Sequence, residues 1–274
     1  MSLNAYQTIT ADLLTMSGQY QVEVTSKQSL GAEIYRLTLA APAIAANAHP
    51  GQFVMLQAGL ESAPLLNRPF SIHWAAAGQL GILFKVVGAG TRWLAGLRAG
   101  DRLMAVGPLG RGFKLAKEGR HCLVGGGMGS APLYFLARQL LEQHPRPGVE
   151  LLLGARCRQE IAVIADDFAS LGLSVQITTD DGSMGRAGLV PELLVELDEQ
   201  PRQVYCCGPR PMMAAVAEHC RRRQWPCQVS LETVMACGFS ACLGCAVKPG
   251  GQHAGYLHAC KDGPVFTADE IAWE

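Results

Sequence analysis

The chain has little charge. Asp, Glu, Lys and Arg make up 17% of its 274 residues, against about 25% in ordinary globular chains. Lys plus Arg and Asp plus Glu both total 23, so the net charge is zero. No basic field exists to hold a phosphate backbone, which argues against nucleic acid as a partner. Long hydrophobic runs are also missing. The richest, Cys122 to Ala137, is broken by four glycines and a proline, far from the ~18 uninterrupted apolar residues of a membrane span. The opening MSLNAYQTITADLL lacks a cationic start and an apolar centre, and the first lysine is Lys27. Nothing here resembles a secretory leader, so the expectation is a cytoplasmic protein without membrane contact. No Ser/His/Asp or metalloprotease arrangement is visible. Hydrophobic residues at 49% are enough for a packed core, and at about 150 residues per domain the length suggests roughly two domains.

Cysteine is plentiful, with ten residues. Cys122, Cys157, Cys206, Cys207, Cys220 and Cys227 are scattered, while Cys237, Cys242, Cys245 and Cys260 crowd together near the C-terminus. Without a secretory context a disulfide framework fits poorly, and the clustered set points to metal.

From Gln19 to Phe113 short β-rich segments alternate with turns: Gln19–Thr25, Glu33–Leu39, Gln52–Gln57, Arg68–Trp74, Leu80–Val87 and Arg102–Val106. This spacing predicts an antiparallel barrel or sandwich. Beyond Gly119 the pattern changes. Strands His121–Val124, Val149–Leu153, Leu173–Thr179 and Gln203–Cys207 alternate with helices Pro132–Glu142, Ile164–Leu171, Leu189–Leu197 and Pro211–Arg223, which predicts a parallel sheet covered on both faces. After Gln228 the regular pattern stops. The expected architecture is multidomain: an extension (1–18), an antiparallel β-barrel (19–116), an α/β parallel-sheet domain (117–228) and a small metal-binding domain (229–274).

Cys237, Cys242 and Cys245 follow C-x4-C-x2-C, with Cys260 fourteen residues beyond, which is the plant-type [2Fe–2S] spacing. Three thiolates on one tight loop wrap the cluster, and the distant fourth closes the cage. Gly238 and Gly244 permit close backbone approach. Structural zinc is the rival reading. Zinc ribbons usually present C-x2–4-C pairs, and nothing in the spacing of His253 or His258 enlists them.

Gly125, Gly126, Gly127 and Gly129 lie between a strand and a helix, where backbone N–H groups and a helix N-terminus can cradle a pyrophosphate. Ser130 stands where a strict G-x-G-x-x-G has its last glycine. Cys207-Gly208-Pro209 forms a second small-residue turn at a strand end. Arg68-Pro69-Phe70-Ser71 opens a barrel strand. There an Arg can clamp a phosphate and a Ser can bond a flavin edge, although taken alone the segment reads first as a surface salt-bridge Arg68 and a core Phe70. His73, His121 and His219 read as structural, Cys206 and Cys207 as small hydrophobes, and Arg221–Arg223 as cations complementing a helix end. Asp180 and Asp181 follow a strand where a carboxylate favours a ribose 2′-OH over a 2′-phosphate, hence NADH. Arg156 and Arg158 act in the opposite sense.

Together these motifs resemble the ferredoxin–NAD(P) reductase superfamily. Within it, Leu65–Ile72, Gly107–Phe113, Ser230–Cys237, the cysteine set and Cys260–Phe266 resemble the electron-transfer subunits of type B dihydroorotate dehydrogenases. The likeness covers about residues 19–270. It departs in the N-terminal extension and at Phe70, where the family more often has an aliphatic residue. The resemblance implies FAD on Arg68, Pro69, Phe70 and Ser71, with Leu83, Phe84, Lys85, Gly90 and Thr91 lining its ring and pyrophosphate. It implies NAD(H) on Gly125, Gly126, Gly127, Gly129, Cys207, Gly208 and Pro209. It places a [2Fe-2S] cluster on the four cysteines. Ser71 is the candidate for a hydrogen bond near flavin N5. No acid or base is required, since the cofactors carry the chemistry. The implied partner is an FMN-containing dihydroorotate dehydrogenase catalytic subunit, in a heterotetramer serving pyrimidine biosynthesis. A reductase subunit for ferredoxin, a hydrogenase or a sulfite reductase is the alternative. A zinc-stabilised, non-redox nucleotide-binding regulator is the third.

Overall fold

The computed structural model describes residues 18–59, 65–116, 119–143, 148–197, 200–201, 203–251 and 255–273. Residues 1–17 of the expected extension, and His253, lie outside the described residues.

The first sheet is antiparallel. Its strands are β1 (Gly18–Ser29), β2 (Ile34–Ala40), β3 (Phe53–Leu56), β4 (Arg68–Ser71), β5 (Trp74–Ala76), β6 (Gln79–Lys85) and β7 (Arg102–Leu109), in the order β4-β3-β7-β1-β2-β6-β5. Alternation buries Val22 and Val24 of β1 and Leu37 and Leu39 of β2 on the inner face. Each fully buried aliphatic side chain stabilises the core by about 1.5–3 kcal/mol.

The expected single strand Arg68–Trp74 is a corner instead. β4 and β5 are the two edges of the sheet, and only Ile72 and His73 separate them. The Ile72 N–H donates to Gln52 O (3.0 Å) and the His73 N–H to Gly81 O (2.9 Å), so consecutive residues bond opposite edges. The sheet therefore curls closed, and Phe70 meets Phe84 edge-on at 5.8 Å between centroids. Two short helices fill its ends, α1 (Pro42–Ala45) and α2 (Ala89–Gly96). The sequence pattern missed α2. Thr91 Oγ1 fixes its first turn by accepting from the N–H groups of Val87 (2.9 Å) and Gly88 (3.1 Å), a local capping signal that period-counting does not register.

The second sheet holds β8 (Arg120–Gly126), β9 (Gly148–Ala155), β10 (Val175–Thr179), β11 (Arg186–Ala187), β12 (Gln203–Cys207), β13 (Cys227–Ser230) and, later in the chain, β16 (Val265–Thr267). The order is β11-β10-β9-β8-β12-β13-β16, parallel except for β16. Helices α3 (Ala131–Gln143), α4 (Arg158–Ser170), α5 (Val190–Val195) and α6 (Arg210–Arg223) cover it. Leu123, Val124, Leu151, Leu152, Leu153 and Val204 have no exposure, as strands buried on both faces require. α4 begins six residues before the expected Ile164, because Ile161 shares the buried stripe of Ile164, Ala165 and Phe168.

The tail is less separate than residues 229–274 suggested. β13 runs through the expected boundary, and β16 returns to pair antiparallel with it, Val229 opposite Phe266. Between them lie the cysteine loop and a small ladder of β14 (Ala246–Val247) and β15 (Leu257–His258). Among the described residues no helix is long and apolar enough to cross a membrane.

Candidate functional site

Consecutive strands run outward from β8 in both directions, to β9 and β10 on one side and to β12 and β13 on the other. That reversal opens a crevice at the C-terminal ends of β8 and β12. The register sets Cys207 opposite Gly125, so the Gly125–Gly129 and Cys207–Pro209 turns leave the sheet side by side. They touch: a Cβ at Gly129 would lie 2.6 Å from Gly208 Cα. Gly126, Gly127, Gly129, Gly208 and Pro209 line a crevice of about 340 Å³. Gly127 has φ +51 with open space beside it, a cradle that any side chain would begin to fill. Gly125 does not line the crevice. It is a packing glycine, whose Cβ would sit 2.4 Å from Ser130 Oγ. Cys207 is buried, its Sγ 3.5 Å from Ser230 O, and faces the neighbouring cavity instead.

That neighbouring cavity, about 480 Å³, lies between the two sheets. All nine residues expected around a flavin line it: Arg68, Pro69, Phe70 and Ser71 from β4, Leu83, Phe84 and Lys85 from β6, and Gly90 and Thr91 from α2. Arg68 is folded onto its own loop, donating to Leu66 O at 2.7 Å. Met128 and Ala131 close the cavity from the glycine turn and α3.

Sequence reasoning missed a further wall. Leu231, Glu232, Thr233 and Met235, which follow β13, also line the cavity. Thr233 Oγ1 is buried with no partner among the described residues, a hydroxyl that fits the polar edge of a flavin. Glu232 borders both cavities. Desolvation pushes its carboxyl up, although the side chain keeps contact with solvent. The available signal was positional, since loops leaving the C-terminal ends of parallel strands are where ligands sit.

The same segment runs directly into the cysteine loop. Cys245 Sγ and Cys260 Sγ lie 3.1 Å apart, and Cys242 pairs with Cys237. Backbone N–H groups point at the sulfurs, from Ser240 to Cys260 Sγ (3.1 Å) and from Ala241 and Cys242 to Cys237 Sγ (3.3 and 3.4 Å). The backbone N–H of Gly244, followed by that of Cys237, pulls the exposed Cys242 thiol down to about 7, whereas burial pushes Cys260 up to about 12. Among the described residues no set of three or more side chains converges in the geometry of a single metal ion. Two thiol pairs fit a [2Fe–2S] rhomb, in which each iron takes two thiolates. His258 is turned toward Asp262, 3.9 Å from its Nδ1. Gly238, at φ +81, seats the loop on the barrel, since a Cβ there would meet Met55 Cγ at 2.4 Å. A Cβ at Gly244 would make only ordinary contact, 3.6 Å from Cys242 Sγ.

Of the residues weighed for dinucleotide choice, Arg156 lines the glycine crevice, whereas Asp180, Asp181 and Arg158 do not. Asp180 and Asp181 are exposed on the loop after β10, the N–H of Asp180 donating to Ala155 O (3.1 Å) and that of Asp181 to Arg156 O (3.3 Å).

Comparison with known proteins agrees with this layout. Residues 232–272 match the iron–sulfur cluster binding domain of dihydroorotate dehydrogenase B, and residues 123–218 match the oxidoreductase NAD-binding domain. The electron transfer subunit of dihydroorotate dehydrogenase B (NAD(+)) from Desulforamulus reducens is 40% identical, covering 94% of this chain and all of the relative. Its counterpart from Geobacillus thermodenitrificans is 38% identical over 93% of this chain and 99% of its own. An NADH-dependent reduced ferredoxin-NADP oxidoreductase has a similar structure, with TM-score 0.82, 30% identity, and 93% and 91% of the two chains covered. The flavohem-like FAD/NAD binding domain of a Vibrio cholerae nitric oxide dioxygenase shares the fold, with TM-score 0.63 and 21% identity over 75% and 93% of the two chains. With its NAD-binding fold, its iron–sulfur domain and these relatives, the chain belongs to the family of electron transfer subunits of NAD(+)-type dihydroorotate dehydrogenase B.

Proposed function

We propose that this subunit passes electrons between NADH and an FMN-bearing dihydroorotate dehydrogenase catalytic subunit, through FAD and a [2Fe-2S] cluster, in cytoplasmic pyrimidine biosynthesis. One observation carries the reading. A single cavity is walled by the barrel (Arg68 to Ser71), by the glycine-turn domain (Met128, Ala131, Cys207) and by the segment that becomes the cluster loop (Leu231 to Met235). A flavin there converts two-electron hydride chemistry into the single electrons that a [2Fe–2S] cluster carries.

The chain's own residues bind and orient. Arg68, once released from Leu66 O, and the N-terminal turn of α2 would hold the flavin's phosphates, and Leu83 and Phe70 would border its ring. Ser71 and Thr233 supply hydroxyls to its edge. Gly126, Gly127, Gly129 and Gly208 admit the dinucleotide beside it. Cys237, Cys242, Cys245 and Cys260 hold the cluster. The preference for NADH over NADPH, with a lower KM for NADH, rests on the carboxylates of Asp180 and Asp181, which stand outside the crevice, against Arg156, which lines it and acts in the opposite sense. Val234, Phe239 and Leu243 around the cluster loop are exposed (88%, 54% and 56%), an apolar rim suited to a protein partner within a heterotetramer.

The test is the visible spectrum of the anaerobically purified chain, with iron, sulfide and flavin assayed together. Flavin and cluster bands that both bleach on adding NADH support the electron path. Neither chromophore after reconstitution rejects it. The likeness to an NADH-dependent ferredoxin-NADP oxidoreductase favours a second reading, a reductase subunit serving ferredoxin. Dihydroorotate-dependent NAD⁺ reduction on adding the FMN protein separates the two.

A further inference from the structure

Glu160 lies in the first turn of α4 and meets two cations from different domains. Lys85 Nζ, on barrel strand β6, donates to its Oε1 at 3.0 Å. Arg156, one turn earlier, grips both carboxylate oxygens, Nε lying 3.2 Å from Oε2. Glu160 is only 16% exposed. All three residues line the crevice beneath Gly126, Gly127 and Gly129, and Lys85 lines the flavin cavity as well. The remaining cation of that crevice, Arg210, is already committed. It donates to Ala272 O at 2.5 Å and lies over the Trp273 ring.

A dinucleotide over the glycine turns brings two phosphate charges into this space. The cations suited to meet them are the two that Glu160 holds. A planar carboxylate gripped by an arginine fork and an ammonium reproduces the contacts of a phosphate oxygen pair.

We propose that Glu160 is a resident stand-in for the pyrophosphate of the incoming dinucleotide. It keeps Lys85 and Arg156 aimed into the crevice while the crevice is empty, and yields them when a nucleoside diphosphate group enters. This rests on reading the crevice as the NADH site. The consequence is a penalty on affinity: each binding event exchanges one anion for another, so the dinucleotide leaves faster than two free cations would allow.

The experiment is equilibrium binding of ADP and NADH to the holo-chain at low salt. Glu160→Gln keeps the shape but releases the cations, and it lowers the Kd for both ligands about fivefold. Glu160→Asp keeps the charge but is one methylene short of spanning both partners, and it lowers Kd by a smaller factor. In an Arg156→Gln background the gain from Glu160→Gln shrinks below about twofold, as coupled residues require. A merely structural Glu160 predicts the opposite, weaker binding together with a lower Tm. NADH binding to wild type with unchanged or weaker ADP binding in both Glu160 variants overturns the proposal alone. No NADH binding to wild type overturns the dinucleotide reading and the proposal with it.

Discussion

His73 Nδ1 lies 2.8 Å from the carbonyl oxygen of Ala131. His73 is one of the two residues that turn the barrel's corner, and Ala131 opens the helix behind the glycine turn. Its other nitrogen, Nε2, lies 3.2 Å from Asp167 Oδ2, and its ring stacks on Tyr134 at 4.6 Å. Asp167 also receives Arg36 NH2 at 2.5 Å. The closure point of one domain is thereby fastened to α3 and α4 of the other. Replacing His73 with Ala strips both contacts from a side chain 1% exposed and should cost about 2–4 kcal/mol. Urea unfolding measures this, and a change below about 0.5 kcal/mol would remove the latch.

The same contacts set the acid limit of stability. Burial pushes Asp167 up, but His73 and then Arg36 outweigh it and hold the carboxyl below its ordinary value. Glu160 is held at about 2, chiefly by Arg156, with Lys85 assisting against burial. Both groups are lowered in the folded state. Their stabilisation is therefore complete above the unfolded carboxylate values near pH 4 and disappears as pH falls through the folded ones. Stability should fall between about pH 4.5 and 2, and fall less in Asp167→Asn. Equal acid slopes for wild type and variant would contradict this.

Gly238 couples the cluster loop to the barrel. A methyl there faces both a left-handed φ and Met55 Cγ at 2.4 Å, so Gly238→Ala should cost about 1–3 kcal/mol. Because the strain falls beside Cys237, iron and sulfide content should drop while flavin content holds. Full cluster loading in this variant would show that the loop does not depend on its seat.

Ser71 ends β4 at the wall of the cavity between the two sheets. If its hydroxyl meets the flavin edge, Ser71→Ala should slow flavin reduction by NADH about tenfold or more, with flavin content unchanged. Stopped-flow reduction at the wild-type rate would assign the role elsewhere, Thr233 being the next hydroxyl in that wall.

Much of this protein is local in its sequence. Cysteine spacing alone announces the cluster loop, because three ligands within nine residues leave little conformational choice. The glycine turn is equally explicit, since only residues without Cβ allow Gly126, Gly129 and Gly208 to stand so close. Buried parallel strands such as Cys122–Val124 and Val204–Cys206 read as uninterrupted apolar runs. What the tertiary structure decided is non-local. The Arg68–Trp74 run has strand composition throughout, and only the pairing of its two halves with β3 and β6 makes it a corner. β13 joined the parallel sheet by pairing with β12, and β16, more than thirty residues further along the chain, completes the hydrogen bonding of its outer edge. Glu160, Thr233 and His73 carry no motif at all. Lys85, the cavity between the sheets and Ala131, which they meet, come from distant segments, and only the folded chain brings them together.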